Sequence, residues 1–390
     1  MKTNMIVRIL LYICVLEMIV FSGEMRFTLS ILGNRIQLTL FVASSLLFYI
    51  LSRRRVLPSK INCLIFLLLF VWVILSSFFF NIYANDFTWV RFVLLPLGTC
   101  YIIGGSNFYV FRDALLRVLT ILSLISIFIQ LGHDYYALFP TELYSVEQSN
   151  FALSLGFFNT EWGEKRLASI YWEPGQYQIV LVYVLCLFYD EWSDLSLWKK
   201  SLKKFGGLLI ALLLTVSTTG YISLAIMIFA IFTRVSVRRT HFFSYLAIFV
   251  VSLISIKSLY ESRAIQEKVE QQQVDDEHTS YAVRVADNIA LFQCAKERPL
   301  TGYGPGSPEL NKKLISYGSQ TSSNGWLKGA AQLGIPYIVF LLFLMYYGLY
   351  KMHQEKFRII PIFIALIVSQ ANESSLYFPY LYMYVFRFLR

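Results

Sequence analysis

Long apolar runs joined by short polar connections set the pattern of this chain. They cover residues 5–22, 36–51, 61–80, 89–105, 114–131, 177–189, 242–256, 326–350, 359–371 and 376–388. Each is long enough, or nearly so, to cross about 30 Å of hydrocarbon as a helix. The run 206–232 is too long for one pass and is interrupted by Thr215-Val216-Ser217-Thr218-Thr219-Gly220, which predicts two short helices. The pattern predicts about 12 transmembrane helices in an all-α polytopic membrane protein, with residues 1–390 forming a single integral-membrane domain.

Composition agrees with that pattern. The chain is 57% hydrophobic and 15% charged, with a mean hydropathy of +0.57, whereas soluble domains carry about 25% charged residues. Charge then orients the passes. With both termini cytoplasmic, the inner connections receive 20 of the 34 basic residues, among them Arg53, Arg54, Arg55, Arg112, Lys199, Lys200, Lys203, Lys204, Lys351 and Arg387. Only Asp113, Asp190, Glu191, Asp194 and Glu355 are acidic there. Such an excess is what the positive-inside rule requires, so the net charge of +10 is explained by topology and calls for no nucleic-acid partner. Glu17 interrupts the apolar core of the first run, and further spans follow. We read that run as an uncleaved first helix.

This topology leaves two large outer loops, 132–171 and 257–325. Within the second, residues 266–277 are polar and acidic, and Tyr281, Val285, Ile289 and Phe292 then recur at helical spacing. An amphipathic helix over about 280–296 follows, lying along the membrane surface or capping the bundle. It stops at Arg298-Pro299. Gly302, Gly304 and Gly306, interleaved with Pro305, predict a tight loop whose backbone N–H groups face an anion.

The candidate chemistry lies at the ends of these loops. Arg284 sits beside the apolar stripe of the amphipathic helix, either paired with Asp287, held as a surface charge, or reserved for an anion. Arg166 is a partner for Glu161 or Glu164, or a second anion ligand. Paired guanidinium groups suit a diphosphate, because each binds phosphate oxygens in bidentate fashion and stays charged. Glu173 fits a helix N-cap with Pro174 at the first helical position; the same carboxylate at a membrane lip is also a candidate base for a sugar hydroxyl. Tyr177, Arg298, Gly302, Gly304 and Asn324 are candidate substrate contacts. Glu17, an ionisable group inside a span, is a further candidate by position. Cys14, Cys63, Cys100 and Cys186 fall in spans and Cys294 stands alone outside, so neither a disulfide framework nor a metal-ligand spacing is present. No metal and no cofactor is expected.

Three places resemble the bacterial O-antigen polymerase and ligase superfamily. One is Arg166 with Tyr171-Trp172-Glu173-Pro174 at the start of a span, and another is the helix pair around Thr215 to Gly220. The third and strongest is RVADNIALFQCAKERPLTGYGPG from Arg284 to Gly306, followed by Ser322-Ser323-Asn324-Gly325-Trp326-Leu327 and Leu333-Gly334. The resemblance implies a membrane glycosyltransferase of the bacterial inner membrane. It works on the periplasmic face with undecaprenyl-diphosphate-linked oligosaccharides as donor and acceptor, and with membrane lipid and a chain-length regulator protein as further partners. It also implies diphosphate binding by arginines of the two large loops, here Arg166 and Arg284. Ligase relatives carry a His before the Asn of the late segment; this chain has Ser323 before Asn324, which favours an O-antigen polymerase over a ligase. A flippase for lipid-linked sugars is the remaining alternative. It would call for mid-membrane charge and repeated architecture, and the chain has one such charge and no internal repeat.

Overall fold

The computed structural model describes residues 5–21, 34–53, 57–79, 88–136, 138, 142–146, 149–154, 157–159, 166–171, 173–192, 198–234, 280–319, 324–353, 359–371, 376 and 378–388. The first half is a group of apolar helices, α1 (Met5–Val20), α2 (Asn34–Arg53), α3 (Lys60–Phe79), α4 (Thr88–Gly105) and α5 (Phe108–Tyr136). They pack α1 on α2 and α5, and α4 on α2 and α3. Their outward faces stay apolar. Leu64, Leu67, Leu68, Val71 and Leu75 form an exposed stripe on α3, and Ile121, Leu124, Ile125 and Phe128 form another on α5. Apolar surface on this scale belongs against lipid rather than water, so the chain is a multi-pass membrane protein. Residues Ile36–Arg53, Lys60–Phe78, Phe108–His133 and Ile335–His353 form four helices long and apolar enough to cross a membrane. The apolar helices at Trp89–Gly105, Pro174–Leu187, Thr218–Phe229 and Ile360–Ser369 are shorter.

Helix α6 (Pro174–Leu187) is buried at every residue, as befits a helix with no polar face. After the short α7 (Tyr189–Trp192), α8 (Trp198–Leu214) and α9 (Thr218–Arg234) form the pair expected from the run 206–232. Val216 takes φ 47° at the break. The expected span 242–256 and the acidic segment 266–277 lie outside the described residues.

Two apolar runs differ from their expected form. The run 326–350 is two helices, α12 (Gly325–Leu333) and α13 (Ile335–His353), separated by Gly334 at φ 86°. The cause is Pro336, which has no N–H for the carbonyl of Gln332 four residues back. The run 376–388 contains the short α15 (Pro379–Tyr382) and then turns, in place of a full pass, while α14 (Ile360–Ser369) precedes it.

The first large loop also differs from an all-helical reading, since it carries a small antiparallel sheet in the order β1 (Glu142–Val146), β2 (Ser149–Ser154), β3 (Phe157–Asn159). Glu142 pairs with Leu153 and Ser154 with Phe157. The second loop contains α10 (Ser280–Glu297) and α11 (Pro308–Ser316).

Charge collects at one end of the bundle. Arg112 and Lys204 both pair with Glu191, Lys204 lies 3.8 Å from Asp113, and His353 Nδ1 is 2.9 Å from Asp190. Arg166 and Glu173 lie at the other end, where α8 closes and α6 begins.

Candidate functional site

The glycine loop and the helix break build one another. At the end of α12 the carbonyls of Ala331 and Gln332 accept the N–H groups of Tyr303 (2.8 Å) and Gly304 (2.7 Å). Leu333 accepts from Trp72 Nε1 at 2.8 Å, and the freed N–H of Ile335 donates to Pro299 at 2.8 Å. Carbonyls that Pro336 and Gly334 release from the helix ladder are thus satisfied from the loop. The anion cradle expected of this loop is not formed by Gly302 and Gly304, because both N–H groups are already donated, that of Gly302 to Arg298 at 3.0 Å.

Helix α10 packs on α11 and α12 through Asp287, Ala290, Leu291 and Cys294, which are buried, while Val285, Ile289 and Phe292 stay exposed. Those three members of the stripe singled out from the sequence therefore lie on the outer face, with the exposed Ile315 on the neighbouring helix, and the packing face is the set 287, 290, 291, 294. This spacing was available in the sequence, but an aspartate among small residues carries a weak apolar signal. Asp287 accepts a hydrogen bond from Ser319 Oγ at 2.6 Å, and among the described residues no ion pair joins it to Arg284. Arg284 is half-buried, and among the described residues it makes no ion pair or hydrogen bond.

Arg298, expected as a substrate contact, is held by Glu309 at 2.6 Å and lies over the Tyr303 ring at 4.2 Å. Its neighbour Glu297 is a hub that sequence reading missed, since its partners are spread over 20 residues. The Tyr303 and Tyr317 hydroxyls donate to its two oxygens and Lys313 Nζ lies at 3.2 Å. Those hydroxyls, with Lys313 adding its charge, hold its carboxyl down at about 2. A depressed carboxyl stabilises the folded loop above the unfolded value near 4.5, and the contribution is lost as pH falls through about 2. Amide protection across α10 and α11, taken relative to the intrinsic exchange rate at each pH, should therefore be unchanged from pH 7 to 5 and fall between about pH 4.5 and 2, more weakly in Glu297→Gln.

On the other loop, Arg166 Nε donates to the Thr215 carbonyl at 3.1 Å, and the Leu167 N–H to Leu214 at 2.8 Å. Arg166 is thereby fixed at the C-terminal end of α8, where a cation is favoured by the helix dipole. Glu173 occupies the N-cap position of α6 with Pro174 behind it, but its side chain makes no capping hydrogen bond. The capping role expected of its carboxylate is absent; only its backbone carbonyl serves the helix, accepting from Gln176 at 3.1 Å. Tyr177 is fully buried, bonded to Ser123 Oγ at 2.6 Å and stacked on Tyr171. It is core packing, not a surface contact for substrate. Asn324 caps α12, accepting the Leu327 N–H at 3.1 Å. Glu17 accepts from Ser44 Oγ at 2.5 Å, joining α1 to α2.

A polar seam that the sequence did not announce links these parts. Gln178 Nε2 donates to the Ser369 carbonyl at 2.7 Å and to Thr219 Oγ1 at 3.4 Å, and the Gly325 N–H to the Gln370 carbonyl at 3.3 Å. The starts of α6, α9 and α12 and the end of α14 therefore meet beside Arg166 and Glu173. Arg284 stands on α10, which reaches this group through α12.

Residues 205–344 match the O-antigen ligase family. Over that segment, about a third of the chain, the protein is similar to that family. The matched segment runs from α8 into α13 and contains Arg284, Arg298, Gly302, Gly304 and Asn324, whereas Arg166, Glu173 and Tyr177 precede it. Neither curated proteins nor solved structures give a match to the chain.

Proposed function

We propose that the protein is an O-antigen polymerase, or the polymerase of a related surface polysaccharide, acting on the periplasmic face of the bacterial inner membrane. The superfamily match supports the class of reaction. Ser323 in front of Asn324, where ligase relatives carry His, favours polymerase over ligase.

In this reading the donor is a growing chain on undecaprenyl diphosphate and the acceptor is a lipid-linked repeat unit. A hydroxyl of the acceptor's non-reducing sugar attacks C1 of the donor sugar. The C1–O bond breaks and the diphosphate departs with the electron pair. Charge builds on the leaving group, so guanidinium groups held ready for it lower the barrier without reorganisation. Arg284 and Arg166 take that role, with no metal required by the scheme. Arg166, anchored through Nε to Thr215, is prepositioned for it. Glu173, whose carboxylate the helix start does not use, receives the hydroxyl proton.

A lengthening assay tests the reaction: preformed lipid-linked repeats presented on the outer face should be extended by the purified protein, and a flippase would leave them unextended. Loss of the protein in cells should leave single-repeat lipopolysaccharide; complete loss of attached sugar would assign a ligase instead. For Glu173, the Gln variant should insert and fold normally yet turn over about 10²-fold or more slowly, the usual scale for a general base. An active Gln variant would remove the base role.

A further inference from the structure

At the charged end of the bundle, about 15–27 Å along α13 from Gly334 at 1.5 Å per residue, lies a cavity of about 1090 Å³. It is bounded by the starts of α3 and α5, the last turns of α13 and residues 385–388. Its walls are mostly apolar, with Ile61, Ile65, Leu344 and Phe388 among them, and it contains two cations, Lys351 and Arg387. Both face the same ring, Tyr347, with the Arg387 guanidinium 5.1 Å and the Lys351 Nζ 5.5 Å from its centroid. Arg387 is fixed from behind, since buried Asn62 donates to its carbonyl at 3.0 Å and accepts its N–H at 2.9 Å. The close approach of Gly348 to the Tyr384 backbone, where a Cβ would collide, holds the two walls together.

Among the described residues these cations have no counter-charge. Among the described residues neither Lys351 nor Arg387 has a carboxylate partner, and the buried Arg387 Nε has no hydrogen-bond acceptor. The neighbouring cations at this end, Arg112 and Lys204, are by contrast paired with Glu191. Two cations without a counter-charge among the described residues, lining an apolar cavity, match an amphiphile with an anionic head, and basic pockets between membrane helices are the usual receptors for acidic lipid headgroups. Such a volume is also of the size that holds a headgroup with the upper part of its chains.

We propose that this cavity is a binding site for an acidic glycerophospholipid, with its phosphodiester between Lys351 and Arg387 and its acyl chains along Ile61, Ile65 and Leu344. On the topology that the basic residues assign, the lipid belongs to the cytoplasmic leaflet, on the face opposite the polymerisation site. The proposal stands independently of the reaction assigned above.

Native mass spectrometry of the purified full-length chain, offered phosphatidylglycerol, phosphatidylcholine or undecaprenyl phosphate in detergent, reads the site directly. Phosphatidylglycerol should be retained in preference to the other two. Arg387→Gln and Lys351→Gln should each weaken retention, together by at least about tenfold, and Arg387→Lys should keep most of it. Melting in phosphatidylcholine alone confirms that each variant is folded. Equal retention of phosphatidylcholine, or undiminished phosphatidylglycerol binding in the charge-removing variants, would overturn the site. Preference for undecaprenyl phosphate, lost in the same variants, would overturn the choice of a glycerophospholipid.

Discussion

Arg284→Ala is expected to abolish long polysaccharide chains while leaving expression and membrane insertion intact. The side chain is half-buried on the first turns of α10 and, among the described residues, takes part in no ion pair or hydrogen bond. Its obvious sequence neighbour Asp287 is committed to Ser319. Removing a guanidinium with no structural partner costs the fold little, whereas removing a group that meets charge developing on a departing diphosphate costs about 10² to 10³ in turnover. Banding of lipopolysaccharide on gels then collapses to the single-repeat species. Arg284→Lys keeps the charge but loses the fork that grips two phosphate oxygens, so it should recover only a minor part of the chain length. Normal banding from the Ala variant would remove Arg284 from the reaction, and full activity of the Lys variant would reduce its role to a point charge.

Gly302→Ala in the second loop and Gly334→Ala at the helix break are expected to be strongly destabilising. Gly302 has φ 64° and Gly334 φ 86°, a region that costs an L-residue about 1–2 kcal/mol. In addition a Cβ on Gly302 would collide with the backbone of Gln332, and one on Gly334 with the carbonyl of Leu300. Backbone cannot step aside as a side-chain tip can, and the collisions fall on the very strands of chain that satisfy the α12 carbonyls. A total of about 3–5 kcal/mol, near the upper end of single-site effects, should appear as a lowered melting temperature and poor yield in detergent. Gly318→Ala provides the comparison, since its φ is 80° yet nothing lies within 4 Å of the added atom. Only the conformational term applies there, so its melting temperature should fall far less. Equal losses at all three positions would show that the loop-to-break contact contributes nothing beyond φ strain.

The break at Gly334 shows where sequence reading stopped. Apolar content alone joined residues 326–350 into one span, because hydropathy is blind to whether a carbonyl has a donor. Pro336 was the visible sign, but its consequence depends on whether another segment supplies the missing donors. Tyr303 and Gly304 supply them from 28 residues upstream. For the same reason the glycine loop read as an anion cradle: its N–H groups were countable in sequence, but their acceptors were not. The split at Thr215 to Gly220 was legible because the run 206–232 is too long for one pass and carries a polar interruption.

At the candidate site, residue type was legible and commitment was not. Glu173 and Pro174 marked a helix start, and α6 begins there; that the carboxylate takes no part in capping is a matter of side-chain placement. Tyr177 was chosen for its position at a membrane lip, yet it lies in the core because α5 brings Ser123 to its hydroxyl. Arg166 was marked as an anion ligand, and the chain end of α8 proved to hold its Nε.

By itself, then, the sequence determined that this is a multi-pass helical membrane protein, and it marked the residues that carry charge to the loop ends, because burial of apolar runs in lipid is a local property of composition. Only the tertiary structure decided which polar groups remain available for chemistry. A hydrogen bond is used up by whichever partner arrives, and those partners, Tyr303 for Ala331, Ser319 for Asp287 and Glu309 for Arg298, come from segments whose spacing in the chain gives no periodic signal.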